Sequence, residues 1–129
     1  MQKPNIVIRV ISVAACKITR FFLRKTGRGG TAIPGIAAMK ISKRILSAVS
    51  DGMKIVVVTG TNGKTTSCNM IEHALSAAGC HCLHDRSGAN MLHGIAADLI
   101  CNATLTGKPK YPYAVLECDE AALKLLVQY

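Results

Sequence analysis

Tryptophan is absent from this 129-residue chain, and aromatic residues make up only 4% of it. Binding grooves for single-stranded nucleic acid stack bases on aromatic platforms, so that class of partner has little material here. No two of the six cysteines (16, 68, 80, 82, 101 and 118) stand at CxxC spacing, which leaves no zinc ribbon and no CxxC redox motif. Scattered thiols suit a reducing cytoplasm; an even count could form three disulfides, but Cys68 and Cys101 fall within helical patterns and read more simply as small core residues. Acidic residues are missing from the first 50 positions, which hold ten basic ones: Lys3, Arg9, Lys17, Arg20, Arg24, Lys25, Arg28, Lys40, Lys43 and Arg44. The rest of the chain carries six basic against seven acidic residues, so the net charge of +9 belongs to a basic arm. Such an arm favours an anionic partner, and charge alone does not choose between a membrane face and nucleic acid. Half of the residues are hydrophobic, enough to bury the core of one globular domain.

A long uninterrupted apolar run is also lacking. Asn5 to Leu23 (NIVIRVISVAACKITRFFL) is broken by Arg9, Lys17 and Arg20, short of the roughly 18 to 20 apolar residues a spanning helix needs. As a helix it carries a narrow polar stripe of Arg9, Ser12, Cys16, Thr19 and Arg20 on an otherwise apolar cylinder. A helix in a membrane interface has that form, and so does one packed on protein. VAAC at Val13 to Cys16 loosely resembles a lipoprotein cleavage box, but Arg9 sits where a signal's apolar core belongs. Beyond it, TGRGGTAIPG (Thr26 to Gly35) marks a loop in which Pro34 is placed to open a helix. One short basic helix is expected through about Ile36 to Val49, and Ser50-Asp51-Gly52 closes the arm at residues 1–52.

What is plentiful begins at Lys54. KIVVVT (Lys54 to Thr59) is β-branched and almost wholly apolar, the pattern of a strand buried on both faces of a parallel sheet. TGTNGKTT follows, then TTSCNMIEHALSAAG, where Met70, Ile71, Ala74, Leu75 and Ala78 recur at helical spacing until Gly79 ends the run. Strand, glycine loop, lysine, threonine and helix together make a phosphate-binding loop. Glycines let backbone N–H groups turn around phosphate oxygens, and the helix N-terminus adds its positive end. Lys64 neutralises the β- and γ-phosphates, and the Thr65 hydroxyl ligates Mg2+. The common GxxxxGK[ST] spacing would need glycine at position 58, which is Val58; here Gly60 stands three residues before Gly63.

Two further strand-to-loop junctions follow. Cys80 to His84 (CHCLH) reads as a second strand running into DRSGANMLHG (Asp85 to Gly94), after which Met91, Ile95, Leu99 and Ile100 begin a helical pattern. Tyr113 to Glu117 (YAVLE) is a third strand that ends in an acid and precedes a helical pattern over Glu120 to Val127. A carboxylate at the C-terminal end of a neighbouring strand is placed to hold a phosphate-bridging Mg2+. Its plain alternative is an exposed strand end. Asp119 and Glu120 read as charges favoured at a helix N-terminus. The fold class is therefore α/β, a phosphate-loop parallel sheet flanked by helices over residues 53–129 and preceded by the helical basic arm.

GRGGTAIPG, VVVTGTNGKTT, DRSGANMLHGIA and AVLECDEA, in this order, resemble the Mur ligase superfamily of ATP-dependent amide-forming enzymes. The RSGANM loop and the E-x-D-E-A run resemble its branch that amidates lipid II in peptidoglycan synthesis. That resemblance implies phosphorylation by ATP of the α-carboxyl of D-glutamate in the lipid II stem peptide. Ammonia from a glutaminase partner subunit of the GatD type then attacks the acyl phosphate to give D-isoglutamine. Gly60, Thr61, Asn62, Gly63, Lys64, Thr65 and Thr66 match the nucleotide loop, with Lys64 as the catalytic lysine, and Thr65 and Glu117 match the Mg2+ ligands. Arg86, Ser87 and Asn90 match a loop near nucleotide or substrate, although Asp85 stands where Asn is expected. The family's zinc-binding cysteines and its later domains would lie beyond Tyr129, so the chain is expected to be an N-terminal fragment, inactive in ligation alone. The implied location is the cytoplasm, with peripheral contact at the inner face of the membrane and no nucleic-acid partner. Two alternatives stay open: another amide ligase of the superfamily, acting on UDP-MurNAc-peptides or folates, and a non-catalytic remnant that binds membrane or nucleic acid through its arm.

Overall fold

A computed structural model describes residues 3–27, 30–84 and 90–128. Helix α1 (Ile6–Lys25) starts at Asn5, whose side chain accepts from the Val7 N–H, and ends with Arg24 and Lys25 in its last turn, where cations face the negative end of the helix dipole. Pro34 sits in the first turn of α2 (Ile33–Ile41), as its fixed φ and missing N–H favour.

The single helix expected over Ile36 to Val49 is two. Ser42 is extended, with φ −154° and ψ 116°, and the chain re-enters a helix as α3 (Ile45–Val49). Ile41, Ile45 and Val49 keep helical spacing across the break, so periodicity alone reads straight through it.

Strands β1 (Lys54–Val58), β2 (Cys82–His84) and β3 (Tyr113–Glu117) form one parallel sheet in the order β1-β3-β2. Register pairs Val58 with Glu117 and Cys82 with Tyr113. Helix α4 (Lys64–Ala77) follows β1, α5 (Leu92–Cys101) lies between β2 and β3, and α6 (Glu120–Leu126) follows β3. Parallel strands need such crossovers, because a tight turn cannot return the chain to run in the same direction.

The core lies around α5. Eight of its ten residues, Leu92 and Gly94 through Ile100, are buried, and they pack with Val13 and Cys16 of α1, Ala38 and Met39 of α2, Ile45 and Val49 of α3, and Leu116 of β3. The helices of the basic arm therefore share one core with the sheet. Gly35 makes the closest approach: a Cβ there would overlap the His93 carbonyl oxygen and lie 3.0 Å from the Ala97 nitrogen.

Two expectations about burial are corrected. β1 was expected to be covered on both faces, yet it is an edge strand here, with Ile55 and Val56 exposed. On α4, the side facing the sheet runs through Cys68, Ile71 and Leu75, while Met70 is 68% exposed and Ala74 and Ala78 are also exposed. The apolar stripe was drawn too wide, since small and flexible residues sit at the same spacing as those that pack.

Helix α1 faces the opposite way to a surface helix. Ser12, Val13 and Cys16 are buried, whereas Ile6, Val7, Ile11, Ile18, Phe21 and Phe22 are exposed. Polar contacts hold the inner side: Arg20 pairs with the buried Asp98 at 2.9 Å, and Lys17 Nζ donates to the Ala103 carbonyl at 2.9 Å. None of the helices among the described residues is long and apolar enough to cross a membrane.

Candidate active site

At the carboxyl end of β1 the chain turns through Thr59 to Gly63 into α4. Gly60 has φ +140° and Gly63 φ +77°, left-handed values that side chains rarely adopt. Nothing lies within 4 Å of a Cβ built at either position, so glycine is required there by backbone conformation and not by crowding. Gly63 is the N-cap of α4 and has no side chain to cap it. The first-turn N–H groups of α4 are thus left available to an anion.

Lys64, the first residue of α4, folds back so that Nζ donates to the Gly60 carbonyl at 2.7 Å. Its ammonium is held over the loop and need only exchange one acceptor to meet a phosphate oxygen. Thr65 Oγ1 donates to Glu117 Oε2 at 2.8 Å. The pair is assembled by the parallel register, which sets Val58 beside Glu117, and by a backbone bond from Cys118 N to Val58 O at 2.9 Å. Glu117 is only 9% exposed, so the alternative of a plain exposed strand end does not hold.

Burial, together with the neighbouring Glu117 carboxylate, pushes the Cys68 thiol up, which keeps it neutral beside the site. Thr61, Asn62 and Thr66 are exposed on or next to the loop. Asn90 reaches the same end of the sheet by its backbone, its carbonyl accepting from Asp119 N at 2.8 Å. Arg86 and Ser87 lie outside the described residues. Asp119 is the N-cap of α6 and Glu120 lies in its first turn, as their charges lead one to expect.

Sequence reasoning had assigned Thr65 and Glu117 to the same Mg2+ but missed their direct hydrogen bond. It also missed the backbone tie between Asn90 and Asp119. Both depend on strand order, which the three strand patterns do not encode. Among the described residues no group of three or more His, Cys, Asp and Glu side chains converges as a metal site. One hydroxyl and one carboxylate nevertheless suit Mg2+, which keeps several waters and takes its other ligands from substrate phosphates.

The middle-domain profile of the Mur ligases matches residues 58–127, from the end of β1 through α6. Over 113 residues the chain is 37% identical to the subunit MurT of the glutamine-hydrolyzing lipid II isoglutaminyl synthase of Staphylococcus aureus, covering 87% of this chain and 25% of that protein. The protein of the same name from Streptococcus pneumoniae is 39% identical over 120 residues, 92% of this chain and 26% of its own length. The chain thus spans about a quarter of the length of the curated relatives it matches. No solved structure matches it. With the profile resting on the same loop, strand and acid that build the site, the chain belongs to the Mur ligase family.

Proposed function

We propose that the protein carrying this chain is the ATP-dependent amide ligase that converts the D-glutamate α-carboxyl of the lipid II stem peptide to D-isoglutamine. The observation that carries the nucleotide part is the 2.8 Å hydrogen bond of Thr65 to Glu117 across the ends of β1 and β3, beside a loop whose Gly60 and Gly63 are left-handed and whose Gly60 carbonyl holds Lys64 Nζ at 2.7 Å. The names of the relatives support the substrate part.

When bound, ATP with Mg2+ would supply the phosphoryl group that activates the carboxyl, so that ammonia could form the C–N bond as phosphate leaves. The chain's own residues act by placement. Backbone N–H groups from Gly60 to Thr66 orient phosphate oxygens, Lys64 neutralises charge as it moves from nucleotide to carboxyl, and Thr65 with Glu117 would hold the cation. Asn90, Arg86 and Ser87 belong to the loop assigned to nucleotide or substrate. A GatD-type glutaminase supplies ammonia in this reading, and the outward apolar side of α1 with its cationic end faces the membrane in which lipid II is anchored.

The test is amidation of lipid II by the full natural protein with its glutaminase partner, followed by mass spectrometry of the stem peptide. The product should require ATP and glutamine or ammonia, and Lys64→Ala should lower the rate by about a hundredfold or more, on the order of 3 kcal/mol of transition-state stabilisation. Turnover that requires an amino acid in place of ammonia would instead identify another amide ligase of the family.

A further inference from the structure

Away from the nucleotide loop, two thiols meet between α1 and α5. Cys16 Sγ lies 3.2 Å from Cys101 Sγ and 3.7 Å from the Ala97 carbonyl oxygen. All six cysteines are free thiols, so this is a reduced pair whose sulfurs need close by only about 1 Å to reach the length of a disulfide bond. Cys16 is wholly buried, while Cys101 is half-buried. Cys101 lines a cavity of about 300 Å³ with Lys17, Arg20, Phe21, Arg24 and Asn102. Three of those six residues are cations, and Phe21 and Arg24 are exposed at its rim.

The surroundings split the two thiols. The hydrogen bond shared with Cys16 lowers Cys101, opposed by burial and helped by Arg20 and Lys17. The same hydrogen bond, with burial, raises Cys16. The charged groups facing the pair are Lys17 and Arg20 from α1 and Asp98 from α5. Asp98 is engaged by Arg20 at 2.9 Å, so the guanidinium is fixed beside the sulfurs. A half-buried thiol among cations, in contact with a second thiol, is the environment of a cysteine that reacts with peroxide and then resolves.

We propose that Cys101 and Cys16 are a peroxide-oxidisable dithiol, a modification site in which a hydroperoxide entering the cationic cavity converts the pair to a disulfide joining α1 to α5. The Cys101 thiolate attacks one peroxide oxygen: an S–O bond forms, the O–O bond breaks, and the departing oxygen takes a proton and leaves as water or an alcohol. Sulfur is oxidised by two electrons and the peroxide is reduced. The Cys16 sulfur then attacks the Cys101 sulfenic acid; the S–S bond forms, the S–O bond breaks, and hydroxide leaves with the Cys16 proton as water. The site is independent of the ligase reading, since none of its residues belongs to the nucleotide loop.

The full natural protein would be treated with limiting hydrogen peroxide, digested without reduction and mapped by mass spectrometry. The expected product is a Cys16–Cys101 linked peptide pair that dithiothreitol reverses, formed before Cys68, Cys80, Cys82 or Cys118 is oxidised. In Cys16→Ser the reaction should stop at a Cys101 sulfenic acid that dimedone traps. In the unmodified protein, iodoacetamide should alkylate Cys101 with a half-maximal rate at lower pH than an ordinary thiol, and at pH 7 at least about tenfold faster than Cys80. Oxidation of Cys80 or Cys82 ahead of the pair, or Cys101 alkylation with the pH profile of an ordinary thiol, would overturn the proposal.

Discussion

Glu117 illustrates how one side chain can serve in two capacities. Its carboxylate accepts a hydrogen bond from Thr65, which ties β3 to the start of α4, and its charge is what a Mg2+ ion would need. Glu117→Gln separates these, because an amide oxygen still accepts from Thr65 but the charge is gone. Nucleotide affinity measured by calorimetry with Mg2+ should fall at least about tenfold, a loss of roughly 1.4 kcal/mol or more, and should change little in EDTA. An equal loss in both conditions would make the residue a strut and not a metal ligand. At this scale most of the site was legible: glycines before Lys-Thr, and an acid closing a β-branched run, are residue types tied directly to a chemical task. The Lys64 to Gly60 contact was not legible, because it depends on a side-chain rotamer that many lysines could adopt.

Elements are where local pattern and tertiary context diverge. The three strands and the α4, α5 and α6 segments could be read from periodicity and from glycine punctuation, yet the break at Ser42 and the shallow burial of α4 could not. A helix shows its spacing in sequence, but which of its apolar residues touch anything depends on what lies opposite. Gly35 is the clearest case: its role comes from α5 crossing close above it, and the residues around it read only as a loop leading to a helix. Gly35→Ala should push α2 away from α5 and destabilise the fold by about 1 to 3 kcal/mol, as overpacking of a close contact does. Urea denaturation monitored by circular dichroism measures it, and an unchanged midpoint would mean that the two helices part without cost.

Across the whole molecule, the basic arm and the sheet share a core while the apolar side of α1 faces outward. The polar stripe was legible in the sequence, but its direction was left open, because stripe and cylinder are equally good candidates for the buried side until the partner helices are known. An outward row of Ile6, Val7, Ile11, Ile18, Phe21 and Phe22 ending in Arg24 and Lys25 matches the surface of an anionic bilayer, apolar to apolar and cation to headgroup. The full protein should cosediment with vesicles containing phosphatidylglycerol, less so at high salt, and replacing Phe21 and Phe22 by Ser should weaken this while Lys64→Ala should not. Equal recovery with purely zwitterionic vesicles, or no effect of the two replacements, would assign that row to packing against protein.

The order β1-β3-β2 also sets a sequence of events in time. The two outer strands are synthesised first and have no pairing partner among the described residues until the central one arrives. The Thr65 to Glu117 bond bridges 52 positions, a long loop to close. Strand pairing and the assembly of the candidate site are therefore one step: Thr65 meets Glu117 only when the sheet closes.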